Sequence, residues 1–199
     1  PWLYQAVNPL SMWLFICWIM VAMAWTPDQL DSWVDGLGES TPQDDVSKGY
    51  QFSHALFRDL AASAREKPGI VRVEKFGVSN KDRPLLAFHI TDPTVPVSRK
   101  VLVFAGIHAL EWVSTEVAVR FFHELVRHPP KGTLVTVIPL LNPDGRAKVE
   151  RDLRAGENKY RRGNDKNVDL NRDFAVNRVP TAVWYPLMPR RYATSQRPL

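Results

Sequence analysis

The chain of 199 residues holds a single cysteine, Cys17, so it can form neither an intrachain disulfide nor a thiolate zinc cluster. Any metal site must therefore be built from His, Asp or Glu, and only five histidines are present. Residues 1–47 contain six acids and no Lys or Arg, so the rest of the chain carries +11 although the net charge is only +5. The 10 glycines are too few for a collagen-like chain, and no internal repeat is visible. With 45% hydrophobic and 24% charged residues, the composition suits one globular domain and not a disordered chain.

What is present begins with Leu10–Trp25, 16 residues without a charge. This is short for a helix across a hydrocarbon core of roughly 30 Å, but it suits the core of a secretory signal. Ala22-Met23-Ala24 supplies a small-x-small cleavage pattern, although the basic residues that usually precede such a core are missing. Residues 1–24 are accordingly expected to be signal-peptide-like and the protein secreted, with a membrane anchor or a buried segment as alternatives. Residues 25–48 are acidic and dotted with Gly, Pro and Ser, and are expected to be a linker.

Helical and strand periodicities begin near Tyr50. Phe52, Leu56, Leu60 and Ala64 recur every four residues beside Phe57 and Ala61, which predicts an amphipathic helix stopped by Pro68-Gly69. Ile70–Phe76 and Leu85–Ile90 read as strands of a hairpin around the turn-forming Gly77–Pro84. Val101–Ile107 is a continuous apolar run, the pattern of a strand covered on both faces. A helix follows, with Val117, Ala118, Phe121, Phe122 and Leu125 expected as its buried stripe, and then a second apolar run, Thr133–Leu141. Strand, helix, strand at these lengths is a βαβ unit. The fold class is α/β: a mixed, mostly parallel central sheet flanked by helices.

Ligands gather at the carboxyl ends of strands in open α/β sheets, and His108 and Glu111 stand where Val101–Ile107 ends and its helix begins. Three residues apart, an imidazole and a carboxylate at a helix start can grip one cation. The same pair also suits a loop histidine beside an acid favoured by the helix dipole. Further on, Asn142-Pro143-Asp144-Gly145 reads as a turn, followed by Tyr160-Arg161-Arg162 and Asp169-Leu170-Asn171-Arg172. Ten Lys or Arg against six acids between Arg146 and Arg178 suit a solvated basic face, a nucleic-acid surface or a pocket for an anionic substrate group.

In order, GVSNKDRPL, VLVFAGIHALEWVSTE, VIPLLNPDG, NKYRR and VDLNRDF resemble the amino-terminal part of the zinc carboxypeptidase family, pancreatic type, from about Tyr50 to Arg178. The resemblance implies one Zn²⁺ with His108 and Glu111 as two of its ligands, and Arg161 as the group that polarises the scissile carbonyl. It also implies that Asn171 and Arg172 hold the substrate's terminal carboxylate. Expected partners are peptide or protein C-termini, with no nucleic acid and no stable membrane insertion. Leu110 departs from several family members, which carry a peptide-contacting arginine there. The family's third zinc ligand and its catalytic glutamate come after the Asn-Arg pair, yet no His or Glu follows Arg172. The sequence is thus expected to fold as a partial catalytic domain over 49–178, incomplete at its C-terminus, with an irregular Pro-rich basic tail over 179–199. It is expected to be a truncated, catalytically incomplete metallocarboxypeptidase. The alternatives are a zinc-dependent amidohydrolase of acylated amino acids and a noncatalytic basic peptide- or nucleic-acid-binding module.

Overall fold

The computed structural model describes residues 25–38, 45–46 and 50–172. The signal-like segment, most of the acidic stretch between residues 39 and 49, and the basic tail lie outside the described residues. Helix α1 (Pro27–Asp35) leads into the two-residue strands β1 (Asp45–Val46) and β2 (Tyr50–Gln51). Then follow α2 (Ser53–Glu66), β3 (Val71–Val78), β4 (Pro84–Ile90), β5 (Arg99–Phe104), α3 (Trp112–Arg127), β6 (Thr133–Ile138) and α4 (Pro143–Arg154). A 3₁₀ turn, Leu170–Arg172, is the last described element.

β3 to β6 form one sheet in the order β3-β4-β6-β5. The expected mixed sheet flanked by helices is present, but two of its three pairings are antiparallel and only β5–β6 is parallel, so its described part is not mostly parallel. One sheet face carries Val73, Phe88 and Val137 at matching register, packed against Leu56, Phe57 and Leu60 of α2 and Phe122 of α3. The Phe88 and Phe122 rings meet edge to face at 5.2 Å, an arrangement that adds to their area burial.

Three further expectations change. The acidic stretch begins with a helix and not a linker: Thr26 accepts from Gln29 N while the Gln29 side chain accepts from Thr26 N, and Pro27 occupies the first turn. Such a capping box and an early proline nucleate a helix that propensity alone would leave marginal. Leu30, Val34 and Leu37 are then buried in the main core, with Asp31 turned to Arg65 and Asp35 to His54. Next, β5 is one of the two edge strands of the sheet among the described residues and is not covered on both faces, since Val101, Leu102 and Phe104 are exposed. Its apolar run suits a central strand, whereas here only one edge is paired. Finally, Asn142-Pro143-Asp144-Gly145 is the start of α4 and not a free turn: the Asn142 side chain caps the helix by accepting from Gly145 N at 3.0 Å, with Pro143 in the first turn.

Candidate metal and substrate site

The β5–α3 loop is held from several sides. Gly106 adopts φ +65°, and a Cβ there would lie 2.8 Å from Leu140 and 2.9 Å from Thr115, so only glycine fits. Asn142 donates from Nδ2 to the carbonyls of Ile107 (3.0 Å) and Gly163 (3.2 Å), while Ala109 N donates to Arg162 O (3.1 Å). One capping residue thereby ties the His108 loop, the start of α4 and the 155–169 segment together. Behind the loop, the Trp112 indole donates to Ala109 O, and the buried Arg146 guanidinium lies 3.3 Å from the centre of its ring. Burial lowers the Arg146 pKa to about 10, against the opposing pull of Glu150.

His108 sits in this frame with both ring nitrogens committed. Nδ1 is 3.0 Å from Glu111 Oε2, and Nε2 is 3.0 Å from Asp169 Oδ1. Arg162 bridges the same two carboxylates, donating from Nη1 to Glu111 Oε1 (2.9 Å) and from Nε to Asp169 Oδ2 (2.8 Å). The hydrogen bond with His108 is the main cause that lowers the Glu111 pKa, with Arg162 assisting. Burial pushes the Asp169 carboxyl upward, but hydrogen bonds from Arg162 and His108 outweigh it and leave the pKa below its ordinary value. For Arg162 burial is likewise the largest influence and opposes its charge, but the bond to Asp169 together with the negative charges of Asp169 and Glu111 outweighs it and raises the pKa.

The arrangement suits a cation. If Nε2–H donates to the buried Asp169, the Nδ1 lone pair faces a carboxylate oxygen, and two lone pairs at 3.0 Å repel unless a proton or a metal ion lies between them. His108 and Glu111 thus fit as two ligands of a zinc-type ion oriented by Asp169. Among the described residues no three or more His, Cys, Asp or Glu side chains are arranged to hold one ion together. Asn171 and Arg172 lie two and three residues after Asp169, in the 3₁₀ turn; both are exposed, and Asn171 N donates to Asp169 Oδ1 at 3.0 Å. The candidate carboxylate clamp is therefore one turn from the residue that fixes His108. Arg161 is directed elsewhere: it donates to Asp152 at the end of α4 (2.7 Å), the bond that raises its own pKa and lowers that of Asp152. Arg162, not Arg161, bonds to Glu111 and Asp169, the two carboxylates on either side of His108. The sequence pattern places Arg162 and Asp169 in a charged stretch without giving either a role; an acid two residues ahead of an Asn-Arg pair is the available signal.

Residues 57–188 match the zinc carboxypeptidase family. Among curated proteins the chain is 30% identical over 117 residues to the inactive metallocarboxypeptidase ECM14 of Saccharomyces cerevisiae, covering 49% of this chain and 27% of that protein. It is 27% identical over 125 residues to carboxypeptidase A6 of Mus musculus, covering 55% and 28%. Among solved structures it resembles carboxypeptidase A from Helicoverpa armigera, with a TM-score of 0.52, 25% identity, and 76% of this chain and 40% of that one covered. Its fold also matches bovine thrombin-activatable fibrinolysis inhibitor, solved with a tick carboxypeptidase inhibitor, with a TM-score of 0.54, 22% identity and coverage of 63% and 43%. The chain thus spans under a third of the length of these curated relatives and about two fifths of these structures. With a family match over most of its described core, the chain belongs to the zinc carboxypeptidase family.

Proposed function

We propose that this chain carries the metal-gripping and carboxylate-binding part of a secreted exopeptidase that removes residues from peptide C-termini. The observation that carries the reading is His108, clasped between Glu111 and the buried Asp169 with Nδ1 turned to the Glu111 carboxylate. Bound between His108 and Glu111, zinc would supply Lewis acidity toward a carbonyl oxygen and toward water. Asp169 holds the imidazole in one orientation, and Arg162 steadies Glu111. Asn171 and Arg172 take the terminal carboxylate, a bidentate guanidinium contact that demands a free C-terminus and so restricts cleavage to the last bond. Arg161 reaches the scissile carbonyl only by leaving Asp152, which makes that ion pair a resting position. Secretion rests on Leu10–Trp25 and the Ala22-Met23-Ala24 pattern.

Kinship alone does not carry activity, since one relative is named an inactive metallocarboxypeptidase. With no His or Glu after Arg172, the 199-residue chain is expected to bind zinc weakly and to turn over no peptide. Competition with a chromogenic chelator tests the site: His108→Ala and Glu111→Gln should each abolish the weak zinc uptake. Uptake indifferent to both substitutions, or peptide turnover that a chelator abolishes, overturns this reading.

A further inference from the structure

A groove of about 810 Å³ opens beside Glu111, between the start of α3 and the end of α4. Its walls are mainly apolar: Tyr50, Leu110, Trp112, Val113, Val149 and Leu153, with Asn158 and Lys159 as a polar border. Tyr50, Leu110, Val113 and Leu153 are all large apolar side chains left exposed, and such side chains gathered along one concave wall mark a binding surface more often than scattered ones do. The floor is stiff, because Trp112 is held by its bond to Ala109 O, by the stacked Arg146 and by edge contacts with Tyr50 and Phe52 at 6.4 and 5.8 Å. A floor fixed in this way does not need to be ordered when a ligand arrives.

We infer that this groove holds the apolar side chains of a peptide that precede its scissile bond, so that the site prefers substrates with aliphatic or aromatic residues just upstream of the terminal one. Continuity carries the assignment. Glu111 belongs both to the cation-gripping pair and to the groove wall, whereas Asn171 and Arg172 do not line it. A peptide whose terminal carboxylate is held at Asn171 and Arg172 passes Glu111 before its earlier residues reach the groove. Leu110 and Val113 flank Glu111 on the groove side, and Leu153 lines it from α4. The inference rests on the exopeptidase reading given above.

Binding by the full 199-residue chain tests it, with N-terminally fluorescein-labelled hexapeptides read by anisotropy at saturating zinc. Five peptides are used: Leu-Leu or Ser-Ser at the second and third positions from the end, each with a free or an amidated C-terminus, and a fifth, free-ended, with Ser-Ser there and leucine at the last position. The expected result is weaker binding on amidation and about tenfold tighter binding of the Leu-Leu peptide, the scale set by a few buried methylene groups. Leu153→Glu, an exposed helix position outside the metal and carboxylate machinery, should remove that preference while leaving the circular dichroism and the effect of amidation unchanged. Val113→Asp provides a second variant. If amidation weakens binding but Leu-Leu gives no advantage, or one that both variants leave intact, the groove assignment is overturned and the exopeptidase reading stands. An advantage that instead follows a leucine moved to the last position also overturns it, because the groove would then hold the terminal side chain. Binding indifferent to amidation overturns the exopeptidase reading, and the upstream assignment falls with it.

Discussion

Asp169 is buried against His108 and Arg162, and its charge can be removed with little change of shape. Asp169→Asn still offers one oxygen to Asn171 N but loses the anion that orients the imidazole and anchors Arg162. Carboxylate partners of metal-bound histidines typically contribute about 10- to 100-fold to metal affinity, so zinc binding should fall by that factor with an unchanged far-UV spectrum. An unaltered affinity would remove Asp169 from the site. His89, on the sheet face opposite the main core, gives an independent test. Its Nδ1 and Nε2 lie 2.9 Å from Thr136 and Glu74, and burial is the main cause that lowers its pKa from 6.5, with nearby Arg72 adding to it and Glu74 opposing. Above pH 6.5 the ring is neutral in both the folded and unfolded states and contributes no pH dependence. As pH falls below 6.5 the unfolded state takes up the proton first, so stability declines until the folded pKa is passed. Glu74, whose folded pKa is lowered from 4.5 despite its opposing desolvation, loses its contribution only at lower pH, as pH falls through that folded value. Urea midpoints should therefore drop between pH 7 and pH 5 in the wild type and drop less in His89→Gln. Equal declines would show that His89 is not the group responsible.

At the scale of elements, α1 separates a structural helix from a tether. Leu30 is fully buried in the same cluster as Leu56 and Phe88, so Leu30→Ala should cost about 2 to 5 kcal/mol in denaturant titration, the range for a leucine deleted from a packed core. A tether would register less than about 0.5 kcal/mol, the usual scale of surface changes. α2, β3, β4 and α3 are legible in the sequence because each repeats an apolar face at its own period over enough residues, and β6 because it is a continuous apolar run of strand length. α1 is not, because nine residues carry only two inward positions, Leu30 and Val34, among three acids; its signal lies in the Thr26–Gln29 capping box. The strand nature of β5 is readable, but its cover is not, since an apolar run records what a strand tolerates and says nothing of which neighbours are present. The site shows the same division. His108, Glu111, Asn171 and Arg172 stand out by motif, whereas the Arg162–Asp169 brace depends on a long-range approach of residues 155–169 to the β5–α3 loop that no local period encodes.

At the scale of the whole molecule, the edge of β5 that is unpaired among the described residues decides how the chain behaves in solution. Parallel strands with apolar residues on both faces are normally covered on both, yet Leu102 is 59% and Phe104 43% exposed, and β6 pairs with only one edge of β5. On α3, Val113, Val117 and Phe121 form a second exposed apolar line at helical spacing. The matched carboxypeptidase structures are more than twice as long as the portion this chain covers, so surfaces that a longer domain could cover stand open among the described residues. Arg99 and Lys100 at the start of β5 are its only charges, and an apolar unpaired strand with charge at one end invites edge-to-edge pairing. The purified chain should therefore self-associate with rising concentration and bind a hydrophobic dye. Leu102→Lys should shift light scattering toward the monomer and reduce the dye signal. Because Leu102 is already exposed, that variant should move the urea midpoint by no more than a surface substitution does. A wild-type chain that stays monomeric and dye-negative near 100 μM, a concentration at which exposed edges associate, would mean that this edge is already covered by another part of the same molecule.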